Sequence, residues 1–260
     1  MQRALATFWR SLAIAAAYAV TLALSNAALS RPVELGSLLW RFAGGAAIGL
    51  ILVPLASQMP GSRRRHWLVW GCAIFLNLAS VTIEGRFFAP DHVKGWLVLL
   101  LIQQLAVSVA ATAVLVWLSA PTSPSAPAAP GARPWYSWLW RFAVSAGAYI
   151  FFYYLFGAMN YLLVTGPYYK THAGGLVTPA PGVILQAELV RAPMIVAAVL
   201  PFILSFPASG RRLQAFTGFR LFGVGGVAPL LMNIGALPGV VLLASGVEIF
   251  CQNFSAGALA

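Results

Sequence analysis

The sequence predicts an all-α fold, a polytopic bundle of about eight transmembrane helices. Hydrophobic residues make up 60% of the 260 positions, and charged residues only 8%. Soluble domains usually carry about 25% charged residues. Eight apolar runs are long enough to cross a hydrocarbon core about 30 Å thick, which takes about 20 helical residues. No water-soluble fold of this length covers so much apolar surface, so the chain is predicted to be an integral membrane protein.

Short clusters of turn and basic residues separate the eight runs. Two of these clusters are alike, PGSRRR at 60–65 and PASGRR at 207–212, and Pro and Gly at such positions favour turns. The break between the last two runs, around Gly235 and Pro238, is the least sharply marked. The predicted spans are 9–29, 38–58, 67–86, 95–118, 138–164, 186–206, 216–234 and 238–257.

The net charge of +11 is interpreted as a topology signal. Long apolar runs separate the basic residues, so they form no single basic face and we expect no nucleic-acid partner. Cytoplasmic loops of membrane proteins carry an excess of Lys and Arg, which predicts both termini in the cytoplasm. The side predicted to be cytoplasmic holds Arg3, Arg10, Arg63, Arg64, Arg65, Arg133, Arg141, Arg211, Arg212 and Arg220. The other side holds Arg31, Arg86, Lys94 and Lys170 with Glu34, Glu84, Asp91 and Glu188.

Residues 1–28 also allow a second interpretation, a cleaved signal peptide. Arg3 and Arg10 precede an apolar run that ends in Ser25-Asn26-Ala27, as in such leaders. The run is long for a leader, and a similar segment recurs later in the chain. Cleavage would leave the orientation of the remaining helices unchanged.

Two segments of the first half of the chain resemble segments of the second half, which predicts an internal duplication. FWRSLAIAAAY at 8–18 resembles LWRFAVSAGAY at 139–149, and the stretch 38–65 resembles 188–212 in its early Arg, later Pro and basic exit. We therefore expect two parallel four-helix repeats, related by an axis along the membrane normal. The predicted halves are 1–118 and 138–260, joined by a cytoplasmic linker at 119–137 that is too rich in Pro, Ala and Ser to pack.

Glu248 lies near the middle of the last span, about 15 Å beyond Pro238 at 1.5 Å per residue. A charge at that depth is costly, so Glu248 is protonated, paired with a cation or exposed to water inside the bundle. Arg191 is the candidate cation. Asn233, Gln252 and Asn253 are candidate hydrogen-bond donors. The sequence leaves open whether Glu248 is a structural group or a proton or substrate site.

Three further charges lie within or at the ends of apolar spans. Arg41 and Arg191 come early in the second and sixth runs, and Glu84 closes the third. They either extend to the membrane edge and pair locally, or line an outward-opening cavity that accepts an anionic group, which suits an arginine fork. Asn160 is expected to be one of several interhelical hydrogen-bonding residues. The hypothesised substrate or proton site consists of Glu248, Arg191, Arg41, Glu84 and Asn253.

The sequence contains no recognisable catalytic motif, so a non-enzymatic role is favoured and no cofactor is expected. His92 and His172, with Asp91 and Glu188, form the only constellation that suggests a metal or acid–base site, across the outer loops. Solubility of those loops explains the same residues equally well. Cys72 and Cys251 lie within apolar runs and are interpreted as small hydrophobic residues.

The C-terminal segment LPGVVLLASGVEIFCQNFSAGALA, with Glu248, Asn253 and Phe254, resembles the closing segment of an uncharacterised group of bacterial multi-spanning inner-membrane proteins. TIEGRFF at 82–88 and the Arg of LVRAPM are similar to the same group. Its members have a His three residues before the Glu and a Ser before the Asn, where this chain has Ser245 and Gln252. The resemblance implies a bacterial inner membrane and carries no function.

Three functional classes are compatible with these features. A secondary transporter or permease for a small solute or ion accounts for the duplication and for the charges within the membrane. A non-catalytic subunit or assembly factor, bound to a membrane protein partner, accounts for the lack of catalytic motifs. A lipid-modifying enzyme needs a nucleophile or metal site that the sequence does not display. All three place the chain in the lipid bilayer.

Overall fold

The computed structural model describes residues 2–32, 34–93, 95–120 and 134–259. This part of the chain contains eight helices long and apolar enough to span a membrane, and it contains no β-strand. The predicted fold class, a helical transmembrane bundle, is confirmed, and the protein is a multi-pass membrane protein in contact with the bilayer. The helices are α1 (Gln2–Ala28), α2 (Leu35–Gln58), α3 (Arg63–Phe88), α4 (Leu97–Ser119), α5 (Trp135–Lys170), α6 (Pro181–Ile203), α7 (Gly210–Met232) and α8 (Gly239–Ala258).

Helix α5 is longer than the sequence predicts. The expected end at 164 precedes Gly166-Pro167, a pair that usually marks a turn. Instead, the wider π-helical turn Tyr161–Thr165 leads into a final helical segment, Gly166–Lys170. Proline is tolerated in the first turn of a helical segment, where its missing N–H leaves no partner unsatisfied. The same helix begins at Trp135, so the last three residues of the predicted 119–137 linker are helical, and 121–133 lie outside the described residues.

The order of helix contacts is similar in the two halves of the chain. In the first half, α1 packs against α2 and α4, and α3 packs against α4. In the second half, α5 packs against α6 and α8, and α7 packs against α8. The halves meet where α2 contacts α7 and α3 contacts α6. Each of these contacts therefore has a counterpart four helices away, as the predicted parallel repeats require, although the duplication and the domain division remain predictions.

The main hydrophobic core lies in the first half and at its junction with α6 and α7. Tyr18, Leu52, Trp70 and Phe202 are among its fully buried members. By contrast, α5 and α8 have the smallest buried fraction of the eight spans, 17% each. Helices α5 and α8 are thus the least buried of the eight spans, whereas α7 in the same half is the most buried, at 50%. Helices α5 and α8 provide two walls of the cavity described below.

Gly45 and Gly49 allow α1 and α2 to pack at short distance, as their GxxxG spacing predicts. A Cβ added at Gly45 would lie 3.0 Å from Cα of Ala15, and one at Gly49 would lie 2.6 Å from Cα of Ser11. The second distance is shorter than real Cβ contacts, and the atom it meets is backbone. Any larger residue at 49 must therefore push the two helices apart.

Replacement of Gly49 by alanine is expected to destabilise the bundle by about 1 to 3 kcal/mol, as overpacking of a well-packed core does. The measurement is the melting temperature of the purified protein in detergent. Gly147→Ala is the matched control, because no atom lies within 4 Å of a Cβ at that helical glycine, and a higher helix propensity should keep or raise its stability. Equal melting temperatures for the two variants would contradict close packing at Gly49.

Candidate functional site

A cavity of about 620 Å³ lies inside the bundle, lined by residues of α2, α3, α5, α6, α7 and α8 together with α4 near one end. That end holds the connections 29–34, 89–96, 171–180 and 233–238, and we call it the outer end, after the orientation that the sequence predicts. Thr178 and Pro179 line the cavity there. At 1.5 Å per residue, Asn253 lies about 21 Å along α8 from Gly239. The cavity therefore extends from the outer end past the middle of the membrane.

All five residues of the hypothesised site line this one cavity. Arg41 comes from α2, Glu84 from α3, Arg191 from α6, and Glu248 and Asn253 from α8. Charged side chains avoid lipid because hydrocarbon cannot solvate them. Four helices thus direct their charges away from the bilayer and towards a common interior space.

Arg191 is the most extensively paired of these residues. Its Nη2 lies 2.7 Å from Oε2 of Glu84, its Nη1 donates to Oε1 of Glu188, and its Nε donates to the carbonyl oxygen of Ser80 at 3.1 Å. The guanidinium also lies over the ring of Tyr153, whose hydroxyl donates to Oε1 of Glu84 at 2.9 Å. Arg191 and Glu188 are buried, whereas Glu84 is 28% exposed and lines the cavity, so this network joins α3, α5 and α6 at the cavity wall.

The candidate ion pair between Glu248 and Arg191 is wrong, because the carboxylates within ion-pair distance of Arg191 are those of Glu84 and Glu188. Glu188 was assigned to the polar outer side, whereas the structure buries it completely. Helix α6 begins at Pro181, so Glu188 lies within the helix and on the same face as Arg191, three residues later. That spacing, visible in the sequence as ELVR, was the signal for the pair.

Glu248 has a neutral partner instead. Nδ2 of Asn160 in α5 donates to its Oε2 at 2.5 Å. Gly157, one helical turn earlier, makes room for the carboxylate, since a Cβ there would lie 3.2 Å from Oε1. The expectation that Glu248 faces the protein interior is confirmed. Asn233, one of the expected donors, instead donates to the Pro229 carbonyl oxygen of its own helix. Asn160 and Glu248 are 88 positions apart, and no local pattern predicts their contact.

The charges around the cavity are not balanced pair by pair. Arg191 serves two carboxylates, Glu84 and Glu188, so this group carries an excess negative charge when fully ionised. Glu248 is held only by an amide. Among the described residues, Arg41 has no ion-pair partner, although it is only half-exposed. The cavity thus offers one cation and one carboxylate that are not committed to each other.

Two interruptions of regular helix border the cavity. The π-helical turns are Tyr161–Thr165 in α5 and Gly223–Val227 in α7, and Tyr161, Thr165 and Gly225 line the cavity. A Cβ at Gly225 would lie 2.7 Å from Oδ1 of Asn77, so glycine is needed where α7 meets α3. π-Turns within α-helices occur frequently at functional sites.

The sequence reasoning missed the tyrosines of the lining. Tyr149, Tyr153, Tyr161 and Tyr169 come from α5, and all border the cavity. The four-residue spacing of Tyr149 and Tyr153 places them on one helix face, and this was an available signal. Their rings and hydroxyl groups give the wall both apolar surface and hydrogen-bonding capacity.

Arg220 lies elsewhere than predicted. The sequence placed it at the cytoplasmic edge, but α7 begins at Gly210, so Arg220 is well inside the helix and completely buried. Its Nη2 donates to the carbonyl oxygen of Ala198 at 2.9 Å, and its guanidinium lies 4.8 Å from the centroid of the Phe202 ring. Arg220 belongs to the closed inner half of the bundle and does not line the cavity.

No metal site is found among the described residues, since no three His, Cys, Asp or Glu side chains there are grouped to hold an ion. The side chains of Asp91 and His92 lie outside the described set. Nδ1 of His172 lies 3.1 Å from the carbonyl oxygen of Leu176, and Glu188 pairs with Arg191. The suggested outer-loop constellation therefore loses Glu188.

The sequence matches no protein-family model. No curated protein and no solved structure shows significant similarity to it.

Removal of the Arg191 guanidinium is expected to be far more damaging than removal of the Arg41 guanidinium. Arg191→Gln leaves Glu84 and Glu188 without their cation, and breaking a buried ion pair costs about 3 to 5 kcal/mol. Arg41→Gln removes a half-exposed arginine with no ion-pair partner among the described residues, so we expect a change within about 1 kcal/mol. Melting temperatures of the two variants in detergent test this difference.

A second substitution distinguishes the loss of charge from the loss of packing at Arg191. Glu188→Gln in the Arg191→Gln background should recover part of the lost stability, because it removes one uncompensated carboxylate. If Arg191→Gln melts at the wild-type temperature, or if Arg41→Gln is equally unstable, then the Arg191 network does not hold α3 and α6 together.

Proposed function

We propose that this protein is a membrane transport protein, a secondary transporter or permease, that binds a small charged ligand in the cavity. The observation that carries the proposal is the convergence of Arg41, Glu84, Arg191 and Glu248 on one cavity that reaches the middle of the membrane. Charged residues inside membrane spans are costly and usually mark pathways for substrates or ions. A non-catalytic subunit needs apolar faces for its partner, but it has no need of such a cavity.

The closed inner half of the bundle supports the proposal. Between α7 and α8, a Cβ at Gly257 would lie 2.8 Å from the backbone nitrogen of Gly218, which leaves no passage there. Arg65 ties the start of α3 to the turn after α6, through bonds to Ser205 Oγ at 2.9 Å and the Leu204 carbonyl oxygen at 2.8 Å. A cavity accessible from one end and closed at the other is the arrangement that alternating access requires.

The predicted topology indicates which side of the membrane the cavity faces. Arg63–Arg65 and Arg211–Arg212 begin α3 and α7 at the end opposite the cavity mouth. By the positive-inside rule, that end and both termini are cytoplasmic, and the cavity faces the outside. With the resemblance to bacterial inner-membrane proteins, this orientation favours a bacterial inner membrane and ligand exchange with its outer side.

Cysteine accessibility tests the cavity directly. In a background without the native thiols (Cys72→Ser, Cys251→Ser), Ser245→Cys should react rapidly with a membrane-impermeant thiol reagent added from outside, because Ser245 lines the cavity and thiolates form only in water. Leu243→Cys is the matched control on the same helix, since the Leu243 side chain is 76% exposed on the membrane-facing surface. It should react slowly. Labelling is measured in intact cells by gel shift.

The outcomes discriminate between the functional classes. Fast outside labelling of Ser245→Cys, further slowed or accelerated by a bound ligand, agrees with transport. If Ser245→Cys labels no faster than Leu243→Cys, the cavity holds no water accessible from outside, and the subunit alternative replaces the transporter. If it labels only from inside, the proposed direction is wrong.

A further inference from the structure

A second, apolar cavity lies on the membrane-facing side of α7 and α8. It is a groove of about 800 Å³, and its lining contains no charged residue. It is therefore suited to hydrocarbon rather than to water. The groove is lined by Phe222, Leu230, Leu231, Ile234, Gly239, Leu242, Leu243, Gly246, Val247 and Phe250.

The groove exists because α7 and α8 diverge towards the outer end. At the inner end they pack tightly, with Gly218 against Phe254 and Gly257 against Gly218. Towards the outer end, the last turn of α7, Ala228–Met232, packs against α2 instead, where a Cβ at Gly44 would lie 2.9 Å from the Ala228 carbonyl oxygen. The two helices thus form a V that is open towards the outer half of the bilayer.

The charged cavity and the apolar groove lie on opposite sides of this V and share a wall. Leu230 of α7 and Leu242 of α8 line both. These two leucine side chains separate the cavity from the groove where the two spaces meet. A change of rotamer at both would connect the cavity with the bilayer.

We propose that the ligand of the cavity is a zwitterionic phospholipid, whose headgroup enters between α7 and α8 while its acyl chains remain in the groove. This inference rests on the proposed function, and it takes the small charged group that enters the cavity to be the headgroup of a lipid. The phosphate lies at Arg41, and the ammonium group lies at Glu248. An amphipathic ligand uses both cavities at once, whereas a water-soluble solute leaves the groove without a role.

The chemistry of the cavity matches such a headgroup. An arginine presents several N–H donors in a fork that fits phosphate oxygens. Glu248 supplies the opposite charge from α8, and tyrosine rings such as Tyr161 and Tyr169 give faces that attract cations. An anionic headgroup satisfies Arg41 but leaves Glu248 without a cation. The pair of charges therefore selects a zwitterion.

The acyl chains position the ligand at the groove more than they increase its affinity. Lipid tails are as apolar as leucine side chains, so exchange of bulk lipid for the groove gains little. The headgroup determines the selectivity of binding. The groove determines which molecules are able to place a headgroup in the cavity. A headgroup without chains lacks this anchorage and has to enter from water at the outer end.

The test compares three probes on the detergent-purified protein: phosphatidylethanolamine, phosphatidylglycerol and water-soluble glycerophosphoethanolamine. Binding is measured by the rise in melting temperature, since a ligand of the native state alone stabilises it, and by retention in native mass spectrometry. We expect phosphatidylethanolamine to bind best. Arg41→Gln should weaken the binding of both lipids, and Glu248→Gln should abolish only the preference for phosphatidylethanolamine over phosphatidylglycerol. Arg64→Gln and Glu34→Gln, at exposed positions, should change nothing.

Matched substitutions test the groove. Val247→Trp fills it, whereas Val144→Trp places the same side chain on α5; Val247 and Val144 are 67% and 59% exposed. Only Val247→Trp should reduce lipid retention. Should that variant fold poorly, Gly246→Leu, whose Cβ would meet Leu230 at 3.5 Å, replaces it, with Gly147→Leu as its control.

Each outcome bears on the inference. Two results would show that the acyl chains do not occupy the groove: equal binding of glycerophosphoethanolamine and phosphatidylethanolamine, or equal effects of Val247→Trp and Val144→Trp. Either result overturns the lipid proposal and leaves transport of a solute intact. Equal binding of both lipids to the wild type overturns the proposed selection of a zwitterionic headgroup. If no probe binds while Ser245→Cys is accessible from outside, the lipid proposal fails alone; if Ser245→Cys is also inaccessible, the proposed function fails with it.

Discussion

The buried ion pairs of Arg191 are the interaction on which the rest of the structure depends. The guanidinium joins α6 to α3, and thereby one half of the chain to the other, through Glu84 and the Ser80 carbonyl oxygen. In water such a pair contributes little. Arg191 is buried, so its guanidinium is strongly destabilising without a carboxylate partner, and this requirement keeps α6 in register with Glu84 of α3. Glu188 extends the network by an i,i+3 contact, and Tyr153 connects it to α5.

The cavity is a consequence of the same constraint. Charges that hydrocarbon cannot solvate have to point inwards, and four of them do so from α2, α3, α6 and α8. Small residues then keep space open around them: Gly157 beside Glu248, and Gly225 beside Asn77. Larger side chains at these positions would close the space between the helices. Arg41 and Glu248 take no part in the ion pairs of Arg191, and both line the cavity, where a ligand can reach them.

Hydropathy was enough to predict the helix number and most of the boundaries, because the bilayer thickness fixes the length of an apolar span. It was also enough to identify the charged residues of the cavity, since intramembrane charges are rare and must face the interior. Their pairing was not predictable in the same way. The contact between Glu248 and Asn160 joins residues 88 positions apart, and only the packing of α5 against α8 brings them together. The π-turn that carries α5 past Gly166-Pro167 had no signal either, because local propensity favours a turn at that point.

The contact between Asn77 of α3 and Gly225 of α7 lies where the two halves meet, and it divides the bundle into an outer and an inner part. Above it are the cavity and the Arg191 network; below it, Arg220 is buried against Ala198 and Phe202 of α6. Helix α6 thus carries the buried arginine of the outer part, Arg191, and contacts the buried arginine of the inner part, Arg220. In the proposed transport cycle, a tilt of α7 about this crossing would close the V between α7 and α8 at the outer end. The same tilt would separate Gly218 from Gly257 at the inner end. Coupling between the two ends therefore requires α7 to tilt as one body through the π-helical turn Gly223–Val227, which lies at this crossing.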